Sequence, residues 1–95
     1  MKGLNVSINN NTIVKPLNIS QAGFSFLNHD TDNKIIFNIG ENIIIKFLYP
    51  DFQINEKFSC NIIWNILDSY GVEFTNINDL HKEILKKIIN LSLEH

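Results

Sequence analysis

The sequence contains no arginine: its 8 basic residues are all lysine, set against 10 Asp and Glu, for a formal net charge of -2. Proteins that bind nucleic-acid polymers normally carry a basic excess that displaces counterions from phosphates, so that partner class is not expected. There is a single cysteine, Cys60, which rules out an internal disulfide; it falls within an apolar strand pattern, where a buried, inert thiol is expected. No apolar run approaches the roughly 18 to 20 residues needed to span a bilayer, and Met1 to Thr12 is polar and Asn-rich rather than a signal core. A cytoplasmic protein without membrane insertion is the expectation.

What is present is an ordinary folding composition, with 44% hydrophobic and 11% aromatic residues, 7 of them Phe, in a chain of 95. That length suits one domain, and a chain so short buries little more than half of its unfolded surface, so every strand must contribute to one core. Leu93, Glu94 and His95 match the start of an expression tag and are set aside. The expected division is an N-terminal segment over 1–11 with a short strand, a domain over 12–92, and the tag remnant at 93–95.

Periodicity and turn chemistry place the elements. Val6 to Ile8 reads as a first short strand before the turn-like Asn9, Asn10 and Asn11. Thr12 to Leu17 reads as a strand, with Pro16 placing it at an edge or strand end. Asn18 to Gly23 interrupts the pattern as a hairpin or bulged bend, and Phe24 to Leu27 resumes it. The turn formers Asn28 to Asn33 lead to a short strand at Lys34 to Ile39. A reversal at Gly40 then opens Asn42 to Tyr49, which Pro50 and Asp51 end.

Lys57 to Asp68 alternates most clearly, with Phe58, Cys60, Ile62, Trp64 and Ile66 on one expected dry face. A turn at Asp68 to Gly71 precedes the strand Val72 to Thr75. Short strands with turns at such spacing point to a barrel or a sandwich. The period then changes: Ile77, Leu80, Ile84, Ile88 and Leu91 form a helical stripe expected to lie across the barrel. Asn76 or Asn78 is positioned to cap it, and Glu83 to pair with Lys87.

Few residues carry catalytic or metal-binding signals. Ser20 lacks the glycines of a nucleophile elbow, and pairing it with His29 and Asp30 would be arbitrary. Asp30, Thr31, Asp32 and Asn33 begin like a calcium loop, but Lys34 and Ile35 follow where a ligand and a glycine are needed. His29, His81 and Cys60 show no metal-ligand spacing. No metal, no cofactor and no enzyme activity are expected.

The informative segment is Asn18, Ile19, Ser20, Gln21, Ala22, Gly23. By itself it is turn chemistry: the Asn side chain caps its own turn, Ser does so more weakly, and Gly takes a positive φ. Its company is more telling. The pattern N-x-S-x-x-G precedes an apolar strand. It is followed by Gly40 opening a strand that ends at Tyr49 and Pro50, by Ile62-Ile63-Trp64, by Tyr70-Gly71-Val72-Glu73-Phe74, and by a terminal helix. Over about Thr12 to Leu91 this order resembles the PilZ domain family, whose second signature is [D/N]-x-S-x-x-G.

The resemblance implies a small six-stranded antiparallel β-barrel with one C-terminal helix, from bacterial receptors for cyclic di-GMP that regulate motility, biofilm, exopolysaccharide or type IV pili. In such a receptor Asn18 and Ser20 would offer hydrogen bonds to a guanine edge or phosphate, and Gly23 would admit the ligand close to the backbone. The family's R-x-x-x-R pair, which grips guanine and neutralises phosphate, has no counterpart here; Lys2 and Lys15 are the only basic residues before Asn18. Two functions follow as expectations. One is a non-catalytic adaptor with nucleotide binding weakened or lost, working through a protein partner. The other is a cyclic di-GMP receptor whose arginines lie outside this chain or are replaced by lysines.

Overall fold

The computed structural model describes residues 3–10, 12–28 and 36–93. Its strands are β1 (Asn5–Ile8), β2 (Thr12–Ile19), β3 (Gly23–Leu27), β4 (Asn42–Tyr49), β5 (Ile54–Ile66) and β6 (Ser69–Thr75). A 3-10 turn at Pro50–Phe52 joins β4 to β5, and helix α1 (Asp79–Leu93) follows β6. Neighbouring strands are antiparallel, and the sheet closes on itself in the order β1-β2-β3-β6-β5-β4. The architecture is therefore the mainly β, six-stranded barrel with one C-terminal helix that the sequence suggested.

Alternation builds the barrel wall. In β4, Ile43, Ile45, Phe47 and Tyr49 point inward, and β5 answers with Cys60 opposite Ile43, Phe58 opposite Ile45 and Ile54 opposite Tyr49. Aromatic rings fill the interior. Phe47 meets Phe24 edge-on at 5.2 Å between centroids and Phe58 at 5.3 Å, while Phe26 stacks on Tyr70 at 5.5 Å.

The strand expected at Lys34 to Ile39 is corrected: residues 36–38 carry no strand, and Lys34 and Ile35 lie outside the described residues. Phe37 instead turns into the barrel, its ring edge-on to Tyr70 at 5.4 Å. Glu41 and Gly40, the latter at φ 90°, clip this segment to β5 through Gly40 N–H to Ile62 O (2.7 Å) and Ile62 N–H to Glu41 O (2.9 Å). Burying one aromatic plug outweighed strand pairing. The calcium-loop-like run Asp30 to Asn33, His29 and Lys2 also lie outside the described residues.

Two boundaries move as well. The turn before β6 falls at Leu67 (φ 53°) and Asp68, so Ser69, Tyr70 and Gly71 belong to the strand rather than to a turn. The dry face of β5 ends at Ile62, because a register shift between Ile62 and Trp64 reverses the alternation and leaves Trp64 and Ile66 outside.

Helix α1 packs on the barrel through Leu85 and Ile88, both fully buried, and through the His81 ring, whose centroid lies 4.6 Å from that of Phe58. His81, Ile84, Leu85 and Ile88 keep the i, i+3, i+4, i+7 spacing. The helix begins only at Asp79, so Ile77 precedes it, and Leu80, expected in the stripe, is 64% exposed. Asn78 supplies the cap, accepting from His81 N–H at 2.8 Å, and Glu83 lies 3.8 Å from Lys86 rather than pairing with Lys87. No helix of the described residues is long and apolar enough to cross a membrane.

This packing gives two expected outcomes. In urea unfolding, Leu85→Ala should cost about 2 to 5 kcal/mol, whereas Leu80→Ala should stay within about 0.5 kcal/mol; equal effects would contradict the helix orientation. Burial pushes the Cys60 thiol up to about 12, against a smaller opposing effect of a backbone hydrogen bond from Ile45. Below about pH 8.5 the thiol is neutral folded or unfolded; above it the unfolded chain deprotonates first, so Cys60 lowers stability as pH rises toward its folded value. Stability measured from pH 8 to 10 should therefore fall less steeply in Cys60→Ala than in the parent.

Candidate functional site

The turn between β2 and β3 is organised by Ser20. Its hydroxyl accepts from Gly23 N–H at 3.1 Å and Ala22 N–H at 3.3 Å and donates to the Gly23 carbonyl at 3.3 Å. The Ser20 N–H donates to that carbonyl at 2.8 Å, and Phe74 N–H ties the Ala22 carbonyl to β6 at 3.0 Å. The cap of this turn is thus Ser20 and not Asn18, whose exposed side chain makes no hydrogen bond among the described residues.

Gly23 is needed for a reason other than the expected positive φ, which it does not adopt. A Cβ at this position would drive into the main-chain carbonyl of Val72 on β6. The glycine lets β3 and β6 approach; the space it leaves open is filled by protein backbone.

Two irregularities set the neighbouring side chains. In β2 the register shifts between Pro16 and Asn18, which throws Leu17 outward and brings Asn18 opposite Ser25 on the outer face. In β5 the shift between Ile62 and Trp64 leaves Ile63 and Trp64 both outward. Pairing then aligns Asn18 with Ser25, Ser25 with Gly71 and Gly71 with Trp64, a single row across four strands. The Trp64 indole lies over Gly71 so closely that a Cβ there would occupy the ring position.

Beside this row the outer surface sinks into an open concavity of about 560 Å³. Asn18, Ser20 and Gly23 all line it, together with Ile63, Trp64, Glu73 and Ile77. The three residues singled out from the motif are therefore neighbours in space. Lys15 is not on this wall; it stands opposite Leu27 on β2. Among the described residues, Glu73 is the only ionisable side chain lining the concavity, and it makes no ion pair. Among the described residues, the Ser20 hydroxyl bonds only to main-chain groups of its own turn, and no group of three metal-ligating side chains converges.

Trp64 and Glu73 were not read as site residues from the sequence, because strict alternation put Trp64 indoors. The available signal was Gly71, a glycine inside a strand pattern, which often marks a close approach from outside the backbone.

The PilZ domain model matches residues 5–91. The chain belongs to the PilZ domain family. PilZ domains are generally non-catalytic binding and adaptor domains, and cyclic di-GMP is for them a ligand rather than a cofactor. Among solved structures, the uncharacterized Legionella protein Lpg0364 superposes with a TM-score of 0.68 at 15% identity, covering 98% of this chain and 88% of that one. The Bacillus subtilis inhibitor of motility, MotI/DgrA, superposes with a TM-score of 0.67 at 18% identity, covering 96% of this chain but 47% of that one. At such identities the likeness is one of fold. No curated protein matches the sequence.

The two glycines of this PilZ site should respond differently. Gly23→Ala meets main chain and is expected to lose about 1 to 3 kcal/mol in denaturant titration. Gly71→Ala meets a movable ring, so its signature should be a red shift of tryptophan emission as Trp64 is displaced, with a smaller stability loss.

Proposed function

We propose that this PilZ domain is a non-catalytic signalling adaptor in which cyclic di-GMP binding is weak or lost, and that it acts by contacting a protein partner. The observation that carries this reading is the charge of the concavity at the N-x-S-x-x-G turn: one carboxylate, Glu73, and no cation on the wall among the described residues, in a chain without arginine. A dinucleotide with two phosphates would meet repulsion where receptors of this family supply guanidinium groups.

Magnitudes support the same reading. Charge-assisted hydrogen bonds contribute roughly 1.5 to 3 kcal/mol each, so two missing arginine anchors remove about 3 to 6 kcal/mol. That weakens a site by roughly 100-fold to 10,000-fold, taking an assumed micromolar affinity to about 0.1 mM or worse. The Bacillus neighbour, an inhibitor of motility, favours motility among the processes of the family, with biofilm and type IV pili as others. The partner is then a component of such machinery, met in the cytoplasm.

A second reading has one observation in its favour: Asn18, Ser20 and Gly23 stand together on the concavity as a receptor's half-site would. In that reading arginines from outside this chain complete the site. Lysine replacement has less support, since Lys15 is off the wall and Lys2 lies outside the described residues.

Calorimetric titration of cyclic di-GMP to about 1 mM, at low and high salt, separates the readings. The expected result is no saturation below about 0.1 mM. Micromolar binding abolished by Ser20→Ala, with folding intact by circular dichroism, would overturn the adaptor reading in favour of the receptor.

A further inference from the structure

The concavity has a composition that suits a cation better than an anion. Trp64 is 36% exposed, and its indole is held over Gly71 by a strand position that admits no side chain. Glu73 shares the same wall, solvent-exposed and without an ion-pair partner among the described residues. Asn18 and Gln21 add exposed amide oxygens at the rim. An aromatic face beside an unpaired carboxylate offers two attractions to one planar cation: stacking on the ring, and a hydrogen-bonded ion pair with the carboxylate.

We infer that the Trp64–Glu73 wall is a docking site for an arginine side chain presented by the partner protein. The inference rests on the adaptor reading above and gives that partner a chemistry. Arginine fits better than lysine. Its guanidinium is flat, stacks on an indole, sheds water more readily than an ammonium and presents paired N–H groups to a carboxylate. This chain has no arginine of its own to place there. Ile63 and Ile77, on the same wall, supply apolar surface for the methylene stem.

The test uses the single tryptophan of the chain as its reporter. A blocked tetra-arginine peptide is titrated into the domain at low salt, following Trp64 fluorescence and the indole N–H resonance, with tetra-lysine as a charge-matched control. Saturable shifts at Trp64 are expected, severalfold weaker with tetra-lysine and about tenfold or more weaker in Glu73→Gln, the loss of one charge-assisted hydrogen bond. Glu73 is exposed, so the variant should keep the parent's unfolding midpoint.

Shifts that are equal for both peptides, or unchanged in Glu73→Gln, would mean attraction by net charge alone and would overturn the inference. So would the absence of any saturable shift at Trp64 with tetra-arginine. Cyclic di-GMP run in the same assay distinguishes the two levels of the argument. Micromolar saturation by the nucleotide sinks the adaptor reading itself. Silence toward both nucleotide and tetra-arginine sinks only the arginine site.

Discussion

The ring of Phe47 is the contact on which the barrel depends. From β4 it reaches Phe24 on β3, Phe58 on β5 and, at 6.4 Å, Phe74 on β6, so one side chain couples strands that are not all neighbours in the sheet. Phe26, Tyr70 and Phe37 form a second group that shares this interior, with Phe24 and Phe26 stacked at 6.1 Å between them. A chain this small gains enough apolar burial only if every strand gives its inner face to these rings. Chemistry is thereby displaced to the outside of the wall.

The outer site follows from two departures from regular pairing. Asn18 comes directly after the irregularity in β2, and Trp64 directly after the one in β5. Between them Ser25 and Gly71 complete the row, and the turn held by Ser20 closes one side. The glycines support this arrangement by absence of bulk: Gly23 lets β6 come close, and Gly71 lets the indole come close. The motif residues thus serve first as architecture for a surface whose charge comes from Glu73.

Much of this was legible in the chain. Alternation from Phe58 to Ile62 pointed to the inner face of β5, and the motif order pointed to the family and its barrel. What stayed hidden has a common cause, namely that side-chain pattern reports burial only while pairing stays regular. At Ile63 it does not, so Trp64 was read as core. Phe37 was read as part of a strand because an apolar residue between Ile36 and Ile39 looks the same whether it pairs in a sheet or turns alone into the core. Leu85 was missed because the helical stripe was phased from Ile77, a residue that precedes the helix.

The extra residue in β5 also makes parity part of the site. Strand side chains alternate, so every residue beyond an insertion changes sides relative to an uninterrupted strand. Were the same sequence to pair without that bulge, Trp64 would fall on the face of Ile62 and be aimed at the already filled interior, leaving the outer wall without its aromatic floor. Pairing register, as much as residue identity, decides which way this surface speaks.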